Sequence, residues 1–346
     1  MDGVDVNPTL SHLADSIDYP LNISNGFDET AYAKFPYPIS ALLTQVTVCV
    51  VSLVLNTLNI TVACHRHFDF PVSSRVNIVS MAVSDCLLSA SLPVNIILFH
   101  IPGISPLWPK LFCRFFLVLT VTCVRMSVIS LVLIIVDRYF AIASPFRHQR
   151  YATKKVCIWT TLGAWFFMTV VHIIENATGD YFFDPLLVTC EVLVSPSRMI
   201  VSMSLFYFIP LTTMIVVYAR LLIIVRKMIR DMVAVHPQRQ APMDQPGERD
   251  EQARERPPRN HGNKHFKIII TFFAVTVVFT LTNVPNHITR IVTLLHGPGA
   301  VPATTVIFIC RTILITGSWW NFVIFSLMNT SFRRVLKKMF TCRSTI

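Results

Sequence analysis

Ionisable side chains stand inside stretches of the sequence that are otherwise apolar. Asp85 interrupts a window that runs from Val76 to Lys110, and Arg125 interrupts another from Phe115 to Val136. Charged groups buried in an apolar medium are costly and usually functional. An arginine in such a place can bind a carboxylate or phosphate through paired, charge-assisted hydrogen bonds. The polar residues expected near Asp85 are Asn56, Ser127, Ser318 and Asn321.

Other kinds of chemistry are missing from the sequence. No metal-spaced His and Cys cluster, nucleophile motif or phosphate-binding loop occurs, so we do not expect an enzyme or a metal cofactor other than a bound cation. The basic residues do not form one solvated face, so nucleic acid is not an expected partner. No internal repeat of apolar segments is found, which disfavours a transporter or channel.

The elements that carry these residues are membrane spans. The chain has 346 residues, of which 53% are hydrophobic and only 14% charged, with a net charge of +11. About 20 apolar residues form a helix that crosses the bilayer. The sequence predicts seven such helices, in windows at 37–65, 76–110, 115–136, 156–174, 199–219, 268–289 and 312–332. The predicted fold is an all-α seven-transmembrane helix bundle with a short amphipathic helix after the seventh span.

Basic residues predict the orientation, because they stay on the cytoplasmic side. They concentrate after the first, third, fifth and seventh spans, so we expect an extracellular N-terminus and a cytoplasmic C-terminus in the plasma membrane. No cleaved signal peptide is expected. The predicted organisation is an extracellular tail over 1–38, a bundle over 39–329 and an amphipathic helix with a short tail over 330–346.

Several modifications are predicted on the two sides. Asn22 and Asn176 begin sequons on the outer side, the second in the loop after the fourth span. Cys113 and Cys190 both lie at the oxidising outer surface, where a disulfide is expected. Cys342 follows the last helix and could carry palmitate.

Two inner segments have distinctive compositions. Residues 227–263 are rich in Pro, Gln and charged side chains, which predicts a disordered loop. After the seventh span, apolar residues recur at helical spacing beside Arg333, Arg334, Lys337 and Lys338. This pattern predicts a helix lying on the lipids of the inner leaflet.

Taken together, these motifs resemble the rhodopsin-like (class A) G-protein-coupled receptor family over about residues 40–340. Independent motifs fall in the right spans and in the right order. They are Asn56, the segment Ser80 to Asp85, Cys113 with Cys190, Asp137-Arg138-Tyr139, Trp165, Pro210 with Tyr218, and Phe279 with Pro285. The resemblance implies a receptor that passes an extracellular signal to heterotrimeric G proteins.

The resemblance also implies roles for single residues. Arg138 would be held by Asp137 in a closed state and would meet the partner when the sixth helix moves. Val128, Pro210 and Phe279 would form the packed switch above it. Asp85 with Ser127, Ser318 and Asn321 resembles a sodium pocket, since a hard cation prefers oxygen ligands. The alternative for Asp85 is a hydrogen-bonded structural carboxyl group.

Two motifs depart from the family pattern. The sixth span has Thr282-Asn283-Val284-Pro285, without the usual tryptophan, and the seventh has Asn321-Phe322-Val323-Ile324-Phe325, without the usual proline and tyrosine. Tyr218 thereby loses an expected hydroxyl partner. The inner end of the sixth span offers no carboxylate to Arg138, which suggests unusual basal activity. A non-signalling scaffold or decoy is the alternative function, beside the transporter.

The ligand is predicted from cations in the outer half. Thr120 stands where an amine receptor carries Asp, and Ile315 where a retinal protein carries Lys, so neither ligand is expected. The predicted ligand-binding set is Thr120, Val124, Arg125, Asn283, His287, Arg290 and Arg311. It suggests an anionic small molecule, lipid or acidic peptide. The alternative is that Arg125 pairs with Glu175 while Arg290 and Arg311 reach the outer surface. Few phosphorylatable residues follow the last helix, which predicts weak arrestin recruitment.

Overall fold

The chain folds into a bundle of long helices. The computed structural model describes residues 39–99, 107–177, 180–184, 189–193, 195–235, 260–296 and 304–341. We call the end of the bundle that carries Arg138 the inner end. The spans, in order, are Ile39–Cys64, Val72–Phe99, Leu107–Ala143, Lys154–Ala177, the fifth span made of Pro196–Met203, Ser204–Phe208 and Ile209–Val235, then Asn260–His296 and Thr304–Met328.

Two shorter helices lie at the inner end. The first, Pro145–Tyr151, is called the inner-loop helix, and the second, Thr330–Thr341, is called the terminal helix. The first begins after Ser144 with Pro145 at its first helical position, where the missing N–H of proline costs nothing. The terminal helix follows the seventh span after one residue, Asn329, whose side chain accepts a hydrogen bond from the backbone N–H of Phe332 at 3.0 Å.

The long helices have the length and composition of membrane spans. Six helices in the described part are long and apolar enough to cross a bilayer, and the second span, which contains Arg75, Asp85 and many serines, is the long helix outside that set. The third and sixth spans have 37 residues each. At 1.5 Å per residue each is about 55 Å long, so both extend beyond the hydrocarbon layer. The predicted all-α class is confirmed for the bundle.

The structure differs from the prediction at the long inner loop, at Asn176 and after the fourth span. The fifth span stays helical to Val235 and the sixth begins at Asn260, so the loop predicted over 227–263 is shorter at both ends; residues 236–259 lie outside the described residues. Asn176 lies within the last turn of the fourth span, not in the following loop. An antiparallel pair of strands, Asp180–Asp184 and Thr189–Leu193, follows that helix and was not predicted.

The fifth span contains a π-helical turn over Ser204–Phe208. The backbone N–H of Ile209 bonds to the carbonyl of Ser204, five residues earlier, where an α-helix would bond to the residue four earlier. Such a turn inserts one residue and rotates everything beyond it. Tyr207 is thereby buried, with its ring centroid 3.8 Å from that of His287 on the sixth span.

The terminal helix is partly covered by the bundle itself. Phe332 is buried and its ring packs against Phe68, Phe322 and Phe325, while Phe340 remains exposed. The part of this apolar face that contains Phe332 and Val335 therefore packs on the bundle and not on the lipids of the inner leaflet, as the sequence had predicted for the whole face. Ser331 also accepts a hydrogen bond from the backbone N–H of Asp69 at 3.0 Å, which joins the helix to the first inner loop.

Charge also links the terminal helix to that loop. The pKa of the exposed His67 is lowered, chiefly by the positive charge of Lys338 and further by Arg66 and His65. Lys338 of the terminal helix is therefore close enough to the first inner loop for its charge to act on His67.

The sixth and seventh spans approach closely at Gly317. A Cβ atom on Gly317 would lie 2.9 Å from Oγ1 of Thr282, whose hydroxyl is fixed by the carbonyls of Val278 and Phe279. We expect Gly317→Ala to lower the free energy of unfolding by about 1–2 kcal/mol through overpacking. Adding Thr282→Ala should restore most of the loss. Thermal unfolding of purified protein is the measurement.

A matched control is available for this prediction. Gly163 in the fourth span has open space around its Cβ position. Gly163→Ala should therefore be neutral or stabilise by up to about 1 kcal/mol, because alanine favours helix. Equal losses at Gly163 and Gly317 would contradict the close approach.

Candidate functional site

A buried polar network surrounds Asp85 in the middle of the bundle. The Asp85 side chain is 4% exposed, and its two oxygens accept hydrogen bonds from the Ser127 hydroxyl at 2.7 Å and from the Asn321 amide at 3.0 Å. Ser84 lies 2.9 Å from the Ser127 hydroxyl. The structure thus brings Asp85, Ser127 and Asn321 together as predicted, from the second, third and seventh spans.

Ser318 joins this network less directly. Its hydroxyl bonds to that of Ser52, and the Ser89 hydroxyl donates to Ser52 at 2.8 Å. Asn56 donates to the carbonyls of Ser52 at 3.0 Å and Ser318 at 3.4 Å. The first, second and seventh spans are therefore joined by buried hydrogen bonds. Within the described part of the chain, the Ser318 hydroxyl bonds to Ser52 and the Ile315 carbonyl and not to Asp85.

A small cavity lies beside this carboxylate. It has a volume of about 30 Å³, which is room for one or two water-sized particles. Its wall contains Asp85, Ser127, Ser318 and Asn321, and apolar residues close the rest. Among the described residues no cluster of three or more His, Cys, Asp or Glu side chains could hold a metal ion. The oxygens here are of the hard type that suits an alkali cation.

The predicted packed switch lies next to this cavity. Val128 is buried in the main apolar core, and Phe279 packs against that core and also lines the cavity. Pro210 is buried in the fifth span. Asn283, which stands where the family pattern has tryptophan, is buried, and its amide donates to the carbonyl of Phe279 at 2.7 Å.

The Arg138 side chain is buried at the inner end of the third span. Its side chain is only 3% exposed and forms an ion pair with Asp137. The guanidinium Nε donates to Asp137 at 3.0 Å, and Nη2 donates to the Ser73 hydroxyl at 3.1 Å. Ser73 in turn donates to Asp137 at 2.7 Å. Asp137 on the third span holds this cation, as the resemblance implied, and Ser73 on the second span adds a contact that was not predicted.

The other oxygen of Asp137 binds the inner-loop helix. His148 Nε2 lies 2.7 Å from Asp137 Oδ1. One carboxylate thus holds both Arg138 and the inner-loop helix, a connection that the sequence argument missed. Tyr139 is half-buried, and its ring packs edge-on against Phe140.

Tyr218 does have a hydroxyl partner. Its side chain is buried, and its hydroxyl lies 3.1 Å from that of Thr276 on the sixth span. The seventh span has no tyrosine in its motif that could bond to Tyr218. The Tyr218 hydroxyl instead joins the fifth span to the sixth. The Lys264 and His265 side chains at the inner end of the sixth span lie outside the described residues.

Arg125 is engaged by the protein itself. Its guanidinium donates to Glu175 at 2.8 Å, to His172 Nε2 and to the Ser202 hydroxyl, and it lies 3.9 Å from the ring centroid of Phe206. The contacts therefore follow the alternative prediction, in which Arg125 pairs with Glu175. His172, Ser202 and Phe206 were missed, although His172 and Glu175 stand three residues apart on an apolar helix, which is a signal for one polar face.

His172 continues the network into the third span. Because its Nε2 accepts from Arg125, its ring hydrogen lies on Nδ1, which donates to Thr122 at 2.8 Å. Asn176, one turn further, is buried and its amide nitrogen donates to the His172 carbonyl at 2.7 Å. A glycan on that nitrogen would require the side chain to leave this buried position, and glycosylation at Asn176 stays a prediction.

The remaining predicted ligand residues do not form one set. Val124 and Asn283 line the cavity of Asp85, whereas the His287 ring lies tilted against the ring of Tyr207. Thr120 and Arg311 are half-buried and Arg290 is exposed; both arginines have interaction partners. Cys113 is disulfide-bonded, and Cys190 lies in the second strand with its side chain outside the described residues, so their pairing stays a prediction. Asn22 and Cys342 also lie outside them.

Comparison with known proteins identifies the family. The sequence profile described as "7 transmembrane receptor (rhodopsin family)" matches residues 44–332. The chain is a rhodopsin-family receptor. The receptor's fold also matches the crystal structure of squid rhodopsin with a TM-score of 0.72 over 93% of this chain and 88% of that one, at 15% identity.

Curated relatives agree with this assignment. The receptor is 26% identical to the alpha-1A adrenergic receptor of Oryctolagus cuniculus over 174 residues, covering 49% of this chain and 35% of that one. It is 31% identical to the D(1A) dopamine receptor of Xenopus laevis over 174 residues, covering 46% and 38%. The matched region thus spans less than half the length of these relatives. The predicted rhodopsin-like family is confirmed, and it is a family of multi-pass membrane receptors.

Proposed function

We propose that this receptor passes a signal from an extracellular ligand to a heterotrimeric G protein at the inner face of the plasma membrane. The observation that carries the proposal is the storage of Arg138. In the described part of the inner end, two residues hold this cation: Ser73 on the second span and Asp137 on the third. A cation held on one side of the bundle can be released without breaking a bond to the sixth span.

The proposed orientation is supported by the charges at the two ends. The inner end carries Arg138, Arg147, Lys154 and Arg333, and basic residues remain in the cytoplasm. The disulfide cysteine Cys113 lies at the other end of the third span, where an oxidising compartment favours disulfides. We place the N-terminus outside and the C-terminus in the cytoplasm.

Nucleotide exchange tests this function. Purified receptor in lipid nanodiscs should accelerate GTP-analogue uptake by one or more purified G-protein heterotrimers, compared with nanodiscs that lack receptor. A receptor that unfolds cooperatively on heating, and so is folded, yet accelerates exchange on no heterotrimer class with or without a ligand library, would support the scaffold alternative.

The ligand is the finer part of the proposal. The adrenergic and dopamine relatives are receptors for amines by name, but the third span here has no carboxylate on its outer half. The carboxylate of Glu175 on the fourth span is already paired with Arg125. We therefore propose that the ligand is not recognised through an ammonium group. An acidic ligand would have to bind without Arg125, through Arg290 or Arg311.

Basal activity and arrestin binding are further parts of the proposal. Arg138 is held from the second and third spans and not from the sixth, which supports a low barrier to its release. A low barrier would in turn explain unusual basal activity, which is our hypothesis. Weak arrestin recruitment is the second hypothesis, and Thr341 at the end of the terminal helix is exposed to a kinase. A stable arrestin complex of the intact receptor would contradict the second point.

We propose that the cavity of Asp85 binds a sodium ion. If so, purified receptor should unfold at a higher temperature in sodium chloride than in choline chloride of equal ionic strength. A free sodium concentration ten times the Kd corresponds to about 1.4 kcal/mol of stabilisation. Asp85→Asn removes the charge and should abolish the difference between the two salts.

Ser91→Ala is the matched control, since Ser91 is a buried serine of the same span bonded only to the nearby Leu88 carbonyl. It should keep the full sodium effect. If Asp85→Asn also keeps it, the ion binds elsewhere.

A further inference from the structure

A second, larger cavity lies at the inner end, next to the network around Arg138 and away from the cavity of Asp85. Its volume is about 420 Å³, which is within the range of small-molecule and lipid sites. It lies between the inner ends of the second, third and fourth spans and the inner-loop helix. Its wall includes Asn77, Phe140, Tyr151, Val156 and Cys157. Ser73, Asp137 and His148 belong both to this wall and to the network around Arg138.

The cavity is closed towards the centre of the bundle. Thr161 on the fourth span donates to the Asn77 side chain at 3.1 Å, and one turn further the Trp165 indole donates to Ser80 at 3.0 Å. These two bonds join the second and fourth spans above the cavity. Any occupant must therefore enter from the side or from the inner face.

The rim of the cavity faces the membrane. Phe140, Tyr151 and Val156 line the cavity and are 51%, 63% and 50% exposed. Because they stand at the inner ends of membrane spans or on the helix between them, their exposed apolar surface meets the inner leaflet. Lipid is thus the medium from which this cavity is filled.

The charge around the rim is entirely positive. Arg147 lines the cavity, and Arg150, Lys154 and Lys155 are exposed beside it. The chain contains no Asp or Glu between residues 138 and 174. The Asp137 carboxylate in the wall is already bonded to Ser73, Arg138 and His148. Clustered basic residues at the inner leaflet attract anionic lipid headgroups.

We infer that this cavity binds one anionic phospholipid of the inner leaflet. An acyl chain packs among Phe140, Val156 and the other apolar wall residues, and the phosphate pairs with Arg147 and Lys154. This inference rests on the membrane embedding of the chain and does not require G-protein coupling. The bound lipid also supports the inner-loop helix, whose His148 holds Asp137.

Cys157 provides a native reporter of occupancy. This half-buried free thiol lies in the cavity wall, whereas Cys64, an exposed free thiol at the inner end of the first span, does not. Full-length receptor is placed in nanodiscs of phosphatidylcholine with or without phosphatidylserine. Maleimide labelling of each cysteine is followed by peptide mass spectrometry. Phosphatidylserine should slow labelling of Cys157 and leave Cys64 unchanged.

Charge variants test the headgroup contact. In Arg147→Gln/Lys154→Gln, the preference for phosphatidylserine should fall by about fivefold for each charge removed. Lys337→Gln/Lys338→Gln removes two charges from the terminal helix and should keep the preference. Equal protection of Cys157 in both lipid compositions, or protection that survives in the Arg147/Lys154 variant, would overturn the inference.

A filling variant tests the cavity itself. Ala152 lies in the wall, and Ala152→Leu should reduce labelling of Cys157 in both lipid compositions and remove the effect of phosphatidylserine. Inorganic phosphate added to phosphatidylcholine discs should not protect Cys157; if it did, a simple anion site would replace the lipid site.

Every arm is repeated in Arg138→Ala receptor, where the lipid effect should persist, so that failure of signalling and failure of lipid binding are distinguished.

Discussion

Replacing Arg138 with alanine is expected to reduce receptor-stimulated nucleotide exchange by at least about 30-fold, the effect of removing an arginine worth 2 kcal/mol at a protein interface. The structure stores this guanidinium in the bundle, 3% exposed, by an ion pair with Asp137 and a bond to Ser73. The buried guanidinium lies at the inner end of the third span. Once released from Asp137 and Ser73, it can pair with a partner protein that binds there.

The experiment compares Arg138→Ala with Arg334→Ala in the same nanodiscs and with the same heterotrimer. Arg334 is an exposed cation of the terminal helix. Its replacement should therefore change the exchange rate by no more than about twofold, which corresponds to about 0.5 kcal/mol or less. The ligand-free signals of Arg138→Ala and native receptor are measured as well. Equal ligand-free signals would refute elevated basal activity, and equal ligand-stimulated signals would remove Arg138 from the coupling surface.

The second large effect is expected at the ion pair between Arg125 and Glu175. Glu175→Ala leaves a guanidinium that is largely buried among Phe206 and the neighbouring spans without its counter-charge. Breaking a buried pair in this way costs about 3–5 kcal/mol. Glu175 is 32% exposed, and solvent or headgroups therefore screen the pair, so we expect about 2 kcal/mol.

A double-mutant cycle measures this pair. Arg125→Met/Glu175→Ala should lose less stability than the sum of the two single variants, with a coupling energy of about 1–2 kcal/mol, because it leaves no buried charge. Unfolding of detergent-solubilised receptor supplies each value. Arg220→Met, at an exposed arginine of the fifth span, is the control and should be nearly neutral. Additive losses would show that Arg125 and Glu175 do not interact in the folded receptor.

The bundle could be predicted from the sequence because hydrocarbon imposes one strict rule. Each backbone polar group must be bonded within its own helix, so an apolar stretch of sufficient length is a helix. The network of Asp85, Ser127 and Asn321 was also predictable, since those residues sit in the matching places of a known family pattern. The ends of helices were less predictable: Asn176 was expected in a loop and is in the last turn of the fourth span.

The partners of Arg125 show why the rest was not predictable. Choosing between a ligand anion and Glu175 requires the rotation of each helix about its own axis. Local sequence does not determine that rotation in a helix that is apolar on most sides. The same holds for His148, which reaches Asp137 only because the inner-loop helix folds back under the third span. Residue type suggested chemistry in both cases, and packing decided which chemistry was used.

The π-helical turn at Ser204–Phe208 limits how the fifth span can change in evolution. Removing one residue there would convert the turn to ordinary α-helix and rotate the preceding segment by about 100° relative to Ile209 and the residues after it. Ser202 would then swing away from Arg125. A single-codon deletion at this point should therefore be tolerated far less than one in the segment joining the fifth and sixth spans.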